Sequence, residues 1–122
     1  FILKNLSSEA ETLAVTLEDL SHPIKNFTHW VIWNIPAAER IAPAVPAGKR
    51  VSSLGGAIQG IGYGLHRYAG PKPPRGKTHM YRLTLYSLSQ RLDLSSYAGK
   101  RTFLRKADRL ILQAGSITGA FE

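Results

Sequence analysis

The chain has 122 residues, 43% hydrophobic and 20% charged, a composition that fits one globular domain and excludes a disordered tail protein. It has no cysteine, which excludes disulfides, thiolate nucleophiles and cysteine-ligated zinc. A formal net charge of +8 points to an anionic partner: nucleic acid, a phospholipid headgroup, a phosphorylated molecule or an acidic protein surface. No apolar run approaches the ~20 residues needed to span a bilayer. The opening FILKNLSSEAETL lacks the basic-then-apolar order of a signal peptide, so a soluble, cytoplasmic protein is expected.

The first predicted element is TLAVTLED, in which Leu13, Val15 and Leu17 alternate with Thr12, Thr16 and Glu18. This is the period of a half-buried strand, and Asp19 continues its apolar side. LSHPIKNFT supplies turn chemistry. HWVIWNI follows, β-branched and aromatic on both faces, and reads as a deeply buried second strand. Pro36, Pro43 and Pro46 in the stretch from Pro36 to Gly48 remove strand donors, so that stretch reads as a surface connection. Glycines at 55, 56, 60, 62, 64 and 70 then predict irregular backbone with positive φ or close approach to a ligand. Their spacing matches neither a phosphate-binding Walker loop nor a dinucleotide fingerprint.

HMYRLTLYSLS is the third clear strand, with His79, Tyr81, Leu83 and Leu85 on one side and Met80, Arg82, Thr84 and Tyr86 on the other. Phe103, Leu104, Ala107, Leu110 and Ile111 recur at helical spacing, which predicts one amphipathic helix capped by Thr102. GSITGAFE closes as a short strand or extended tail. Between Glu39 and Asp93 there is no acidic residue, while Arg40, Lys49, Arg50, Arg67, Lys72, Arg75, Lys77, Arg82 and Arg91 all fall there. The middle of the chain is therefore cationic, as a solvated surface or as a field that gathers anions.

The short connection between the first two strands makes them an antiparallel pair, so Asp19 and His29 are neighbours at one sheet end. If the strand opening with His79 and Tyr81 starts at that same end, a carboxylate, two imidazoles and a phenol converge beside the turn GPKPPRGKT. Each has a plainer reading: a hydrogen-bonded structural histidine, a tyrosine in the core, an aspartate capping a turn. His22 and His66 are assigned to the structural class.

Taken in order, LAVTLEDLSHP, FTHWVIWNIPA, YAGPKPPRGKTHMYRLTLYSL, LDL and GSITGAFE resemble the phosphatidylethanolamine-binding protein family, also called Raf kinase inhibitor-like proteins. The resemblance runs from about Leu13 to Phe121. It is most specific in the Tyr-x-Gly-Pro-x-Pro-Pro-x-Gly-x-x-His-x-Tyr run. It implies a mainly β fold with a large central antiparallel sheet, a smaller flanking sheet and short peripheral helices. It further implies one domain over residues 1–122 lacking the family's N-terminal strand region, and a small pocket for phosphate-like anions or phospholipid headgroups.

Carried across residue by residue, the resemblance makes Asp19, His29, Gly70, His79 and Tyr81 the ligand-binding residues, with Ser21, Pro73 and Pro74 as accessory. Ser21 stands where the family has an aspartate, Leu20 where it has a proline, and Arg67 where it has a glycine. A non-enzymatic binding module without cofactor or metal is the leading expectation. A kinase or protease as protein partner, peripheral membrane contact and a homodimer follow from the resemblance alone. Two alternatives stand beside it: a phosphate-ester hydrolase that uses the same groups, Asp19, His29 and His79, as acid and base, and a basic nucleic-acid-binding domain read from the cationic stretch and the aromatic residues, for which no recognition motif is present.

Overall fold

The computed structural model describes residues 6–22, 27–38, 48–51, 57–60, 62 and 78–121. The strands are β1 (Thr12–Asp19), β2 (Phe27–Pro36), β3 (Arg50–Val51), β4 (Ala57–Gln59), β5 (His79–Leu88) and β6 (Ile111–Phe121), with one helix, α1 (Lys100–Ala107), between β5 and β6. Among the described residues the six strands form one sheet in the order β3-β4-β2-β1-β5-β6, and every pairing there is antiparallel. Among the described residues the protein is thus mainly β, as the resemblance implies.

The first strand differs from its period-two reading. β1 lies between β2 and β5, and every residue from Thr12 to Asp19 is buried. Leu13, Val15 and Leu17 pack with Trp30, Ile32, Ile35 and Tyr81 on one face. Ala14 joins Val31, Trp33, Leu88, Phe103 and Ala107 on the other. The alternation separates two cores here, and the threonines and Glu18 face the helix side of the sheet, away from solvent.

Two irregularities set the aim of β2. Leu13 pairs with Ile35 but Val15 with Ile32, and Leu17 pairs with Trp30 but Glu18 with Thr28, so one extra residue of β2 is accommodated at each place, as in a β-bulge. At the first, Asn34 takes φ 60°, a left-handed conformation that asparagine tolerates. Its side-chain amide donates to the Leu92 carbonyl at 2.8 Å and accepts from the Leu92 N–H at 2.7 Å, pinning the LDL segment to the sheet. At the second, the extra residue is His29.

The helix is shorter than its apolar spacing suggests. It starts after Gly99 and ends at Ala107, so Thr102 is not its cap. Leu110 and Ile111 lie outside it: the Leu110 N–H closes a turn onto the Ala107 carbonyl, and Ile111 begins β6. Phe103 and Ala107, one helical turn apart, are its buried residues. Phe103 stacks on Trp33 with ring centroids 5.9 Å apart and meets Tyr86 edge-on at 5.7 Å. The closing segment is not a short tail but an eleven-residue strand paired along β5 from His79 to Leu88. The ladder hydrogen bonds that β5 offers outweigh the helical spacing of Leu110 and Ile111.

The glycine-rich stretch is likewise more ordered than its composition implies where it is described. Ala57–Gln59 forms β4. The close approach at Gly60 and Gly62 is to protein: a Cβ on Gly60 would collide with the Trp33 ring and the Ala98 carbonyl, and one on Gly62 would stand 2.7 Å from the Trp30 backbone.

Candidate functional site

β1 ends where β5 begins, and this antiparallel register builds the candidate site. Asp19, the last residue of β1, pairs with Phe27 of β2 and with Tyr81 of β5. The alternation of β1 puts Asp19 on the face of Leu13, Val15 and Leu17, and the alternation of β5 brings His79 and Tyr81 to that same face. His29 reaches it by another route. Counting back from Trp30, strict alternation would send His29 to the helix side. As the extra residue of the second bulge it is re-aimed, and its Nε2 stands 4.0 Å from Asp19 Oδ2. Gly62 supports this kink, because its missing side chain lets the chain lie against the His29–Trp30 backbone.

Asp19 is the hub. Its side chain is 3% exposed; Oδ1 accepts the Ser21 N–H at 2.9 Å, and Oδ2 lies 2.8 Å from His79 Nδ1. Burial alone would raise its pKa. The His79 and Ser21 hydrogen bonds and the charges of His79 and His29 outweigh that burial and hold the carboxyl below the usual carboxylate range. Ser21 has a second contact, since its Oγ accepts the Met80 N–H at 2.9 Å. With the Leu20 N–H on the Met80 carbonyl at 2.7 Å, this ties the turn after β1 to the first residues of β5. Ser21 therefore belongs to the frame that holds Asp19 and His79 together.

The rings form a connected row. His29 meets Tyr81 edge-on at 5.3 Å, and His79 lies 6.4 Å from Tyr81 at a tilt. Phe27 meets His29 edge-on at 5.5 Å, and His22 stacks on Phe27 at 4.0 Å. His29 and Tyr81 are 2% and 5% exposed. The structure thus brings together Asp19, Ser21, His29, His79 and Tyr81. Gly70, Pro73 and Pro74, with Lys72, Arg75 and Lys77 of the same stretch of sequence, lie outside the described residues. Phe27 and His22 extend the row and were not among the sequence candidates. The signal for Phe27 is its place two residues before His29; His22 sits in a turn where nothing in the sequence sets it apart.

Arg82 does not serve this face. It projects to the helix side, where its Nη2 donates to Glu18 Oε1 at 3.2 Å. Lys100 Nζ binds the other oxygen of the same carboxylate. Two cations thus clamp one buried acid at the start of α1, and Arg82 is withdrawn from the cationic set read in the sequence. Lys49 bonds the Tyr97 hydroxyl and lies over that ring. Among the described residues no group of three histidine, aspartate or glutamate side chains could hold a metal ion, and no helix is long and apolar enough to cross a membrane.

The family profile described as phosphatidylethanolamine-binding protein matches residues 1–122. The chain belongs to the phosphatidylethanolamine-binding protein family. It is 33% identical to a UPF0098 protein of Pyrococcus abyssi over 98% of this chain and 68% of that one. With a UPF0098 protein of Pyrococcus horikoshii it shares 31% identity over 98% of this chain and 62% of the relative. The chain therefore spans about two thirds of the length of these family members. A crystal structure from Escherichia coli, described as a new member of the mammalian family, superposes with a TM-score of 0.73 at 26% identity, over 96% of this chain and 74% of that one. A homologue from Chlamydia trachomatis shares the fold, with a TM-score of 0.77 at 23% identity over 98% of this chain and 76% of that one.

Proposed function

We propose that this chain is a non-enzymatic binding module for a phosphate-like oxyanion, free or as the headgroup of a phospholipid, held at the end of β1, β2 and β5. The observation that carries this reading is the convergence of His29, His79 and Tyr81 around one buried, hydrogen-bonded Asp19. Imidazole and phenol groups donate to oxyanions, and charge-assisted bonds of this kind are the strong class. The basic stretch that precedes β5 in the sequence would raise the local concentration of anions by screened, long-range attraction. Family membership and the name of the family support the same ligand class. A protein partner such as a kinase or protease belongs to this proposal only through the family.

The hydrolase reading is not adopted. The Ser21 hydroxyl accepts a backbone N–H from Met80, and among the described residues it lacks the bond to a side-chain base that an activated nucleophile needs.

Calorimetric titration with ethyl phosphate at two ionic strengths tests the proposal on three proteins: wild type, Tyr81→Phe and a variant with Lys72, Arg75 and Lys77 all changed to alanine. Tyr81→Phe should weaken binding at both ionic strengths, by about 1 to 3 kcal/mol, the cost of losing a directional buried hydrogen bond. The triple variant should weaken it chiefly at low salt. Wild-type affinity in Tyr81→Phe, with binding abolished in the triple variant even at high salt, would move the ligand out of the pocket and onto the turn.

A further inference from the structure

Resting on the anion-binding reading, the geometry of the Asp19–His79 pair raises a narrower question: which hydrogen-bonding face does His79 present to a ligand? Asp19 Oδ2 lies 2.8 Å from His79 Nδ1, and the other carboxylate oxygen accepts the Ser21 N–H. An ionised carboxylate is acceptor-only, so the hydrogen between Oδ2 and Nδ1 belongs to the imidazole. In the neutral ring Nδ1 then carries the proton, and Nε2 presents a lone pair. A lone pair cannot bind a bare oxyanion. It accepts a hydrogen bond from a P–OH group, or it becomes a donor by taking a proton itself.

We infer that the site takes its oxyanion together with one proton, shared between a phosphate oxygen and His79 Nε2, so that a deprotonated phosphate and a neutral His79 ring beside ionised Asp19 are joined by a proton from solvent. The two descriptions, protonated phosphate on neutral imidazole or bare phosphate on imidazolium, have the same atoms and the same charge. Among the described residues, the titratable groups around the pair are Asp19 from β1 and Tyr81 from its own strand, which meet the ring, and His29 from β2, which faces Asp19. Glu18, Arg82 and Lys100 meet on the opposite face of the sheet. His29 Nε2 is 4.0 Å from Asp19 Oδ2, beyond hydrogen-bond reach. Asp19 therefore fixes the tautomer of His79 and does not set that of His29. Asp19 is a positioning residue in this scheme: it dictates which nitrogen of His79 meets the ligand.

Two measurements on the wild-type protein test the inference. A long-range proton–nitrogen spectrum of the free protein at about pH 8.5 should show His79 protonated at Nδ1; a ring protonated at Nε2 overturns it. Calorimetry at the same pH, in two phosphate-free buffers of unlike ionisation enthalpy, counts protons taken up on binding. Ethyl phosphate and dimethyl phosphate are the probes, standing for a monoester and for the diester of a phospholipid. The diester brings no second proton, so any uptake with it belongs to the protein.

Uptake close to one proton is expected with whichever probe binds, and affinity should fall about tenfold per pH unit in that range, as linkage requires. A glutamine side chain offers a neutral amide donor that does not titrate, so His79→Gln should bind the same probe with uptake near zero and a flat pH profile. Binding by the wild type without proton uptake overturns the inference and leaves the anion-binding reading standing. Uptake that persists in His79→Gln assigns the proton to another group and also overturns it. No binding of either probe overturns both.

Discussion

Asp19 closes the turn after β1 through the Ser21 N–H and fixes the ring of His79 through its other oxygen. Both contacts favour its charged form, which is why its pKa lies below the usual carboxylate range despite burial. A carboxyl whose folded pKa is depressed binds more protons unfolded than folded, so its contribution to stability is fully present above the unfolded value, near ~3.9, and is lost as pH falls through the folded value. Denaturant unfolding followed from about pH 6 down to pH 3 should therefore show the gap between wild type and Asp19→Asn closing below about pH 4. A gap that stays constant across that range would mean that Asp19 is not a stabilising anion.

His29 shows what was legible at this scale. Its place at the sheet end follows from the short turn between β1 and β2. Its aim toward Asp19 depends on an extra residue in β2, and no residue type in FTHWVIWN announces a bulge. Gly62 is the visible trace of that bulge, because only a glycine clears the His29–Trp30 backbone. Gly62→Ala should disturb the site as well as the fold. We expect a loss of about 1 to 3 kcal/mol, typical of overpacking, and a change in the His29 ring resonances; unchanged His29 resonances would show that the bulge does not need this contact.

At the scale of elements, α1 and the Glu18 clamp form the second layer of the molecule. Phe103 is fully buried against Trp33 and Tyr86, and truncating such a ring typically costs about 3 to 5 kcal/mol. Phe103→Ala should lose that much in equilibrium unfolding, and a loss below about 1 kcal/mol would mean that the helix adds little to the core. Glu18 is held by Arg82, whose side chain is 40% exposed, and by Lys100; without the carboxylate Arg82 turns to water and Lys100 loses its charge-assisted partner, at a cost of about 1 to 3 kcal/mol. Glu18→Gln should therefore destabilise the fold yet leave phosphate affinity near wild type, since the clamp lies across the sheet from Asp19. Equal losses of stability and affinity would show the two faces to be coupled.

The helix was legible from Phe103, Leu104 and Ala107. Its end was not, because Leu110 and Ile111 keep helical spacing while their backbone turns into β6, where pairing with β5 decides the conformation. Arg82 was legible as a cation on the far side of β5. Its engagement with Glu18 was not, because partners 64 residues apart become neighbours only through the β1–β5 register.

For the whole molecule, the sequence pattern carries the sheet and the sheet carries the site. Alternation in β1 and β5 sorts Asp19, His79 and Tyr81 onto one face and Glu18 and Arg82 onto the other, so adjacent residues of one strand serve two unlike clusters. Burial of both faces of β1 could not be read from its alternation, because threonine and glutamate look solvent-facing until Lys100 and Arg82 are brought to meet Glu18. The most direct test of the central claim is a phosphate titration followed by amide chemical shifts. The account predicts the largest movements at Asp19, Ser21, His29, His79 and Tyr81, with α1 nearly unmoved. Movements confined to the basic residues Arg101, Arg105, Lys106 and Arg109 around the helix, with the Asp19–His79 end of the sheet silent, would contradict it.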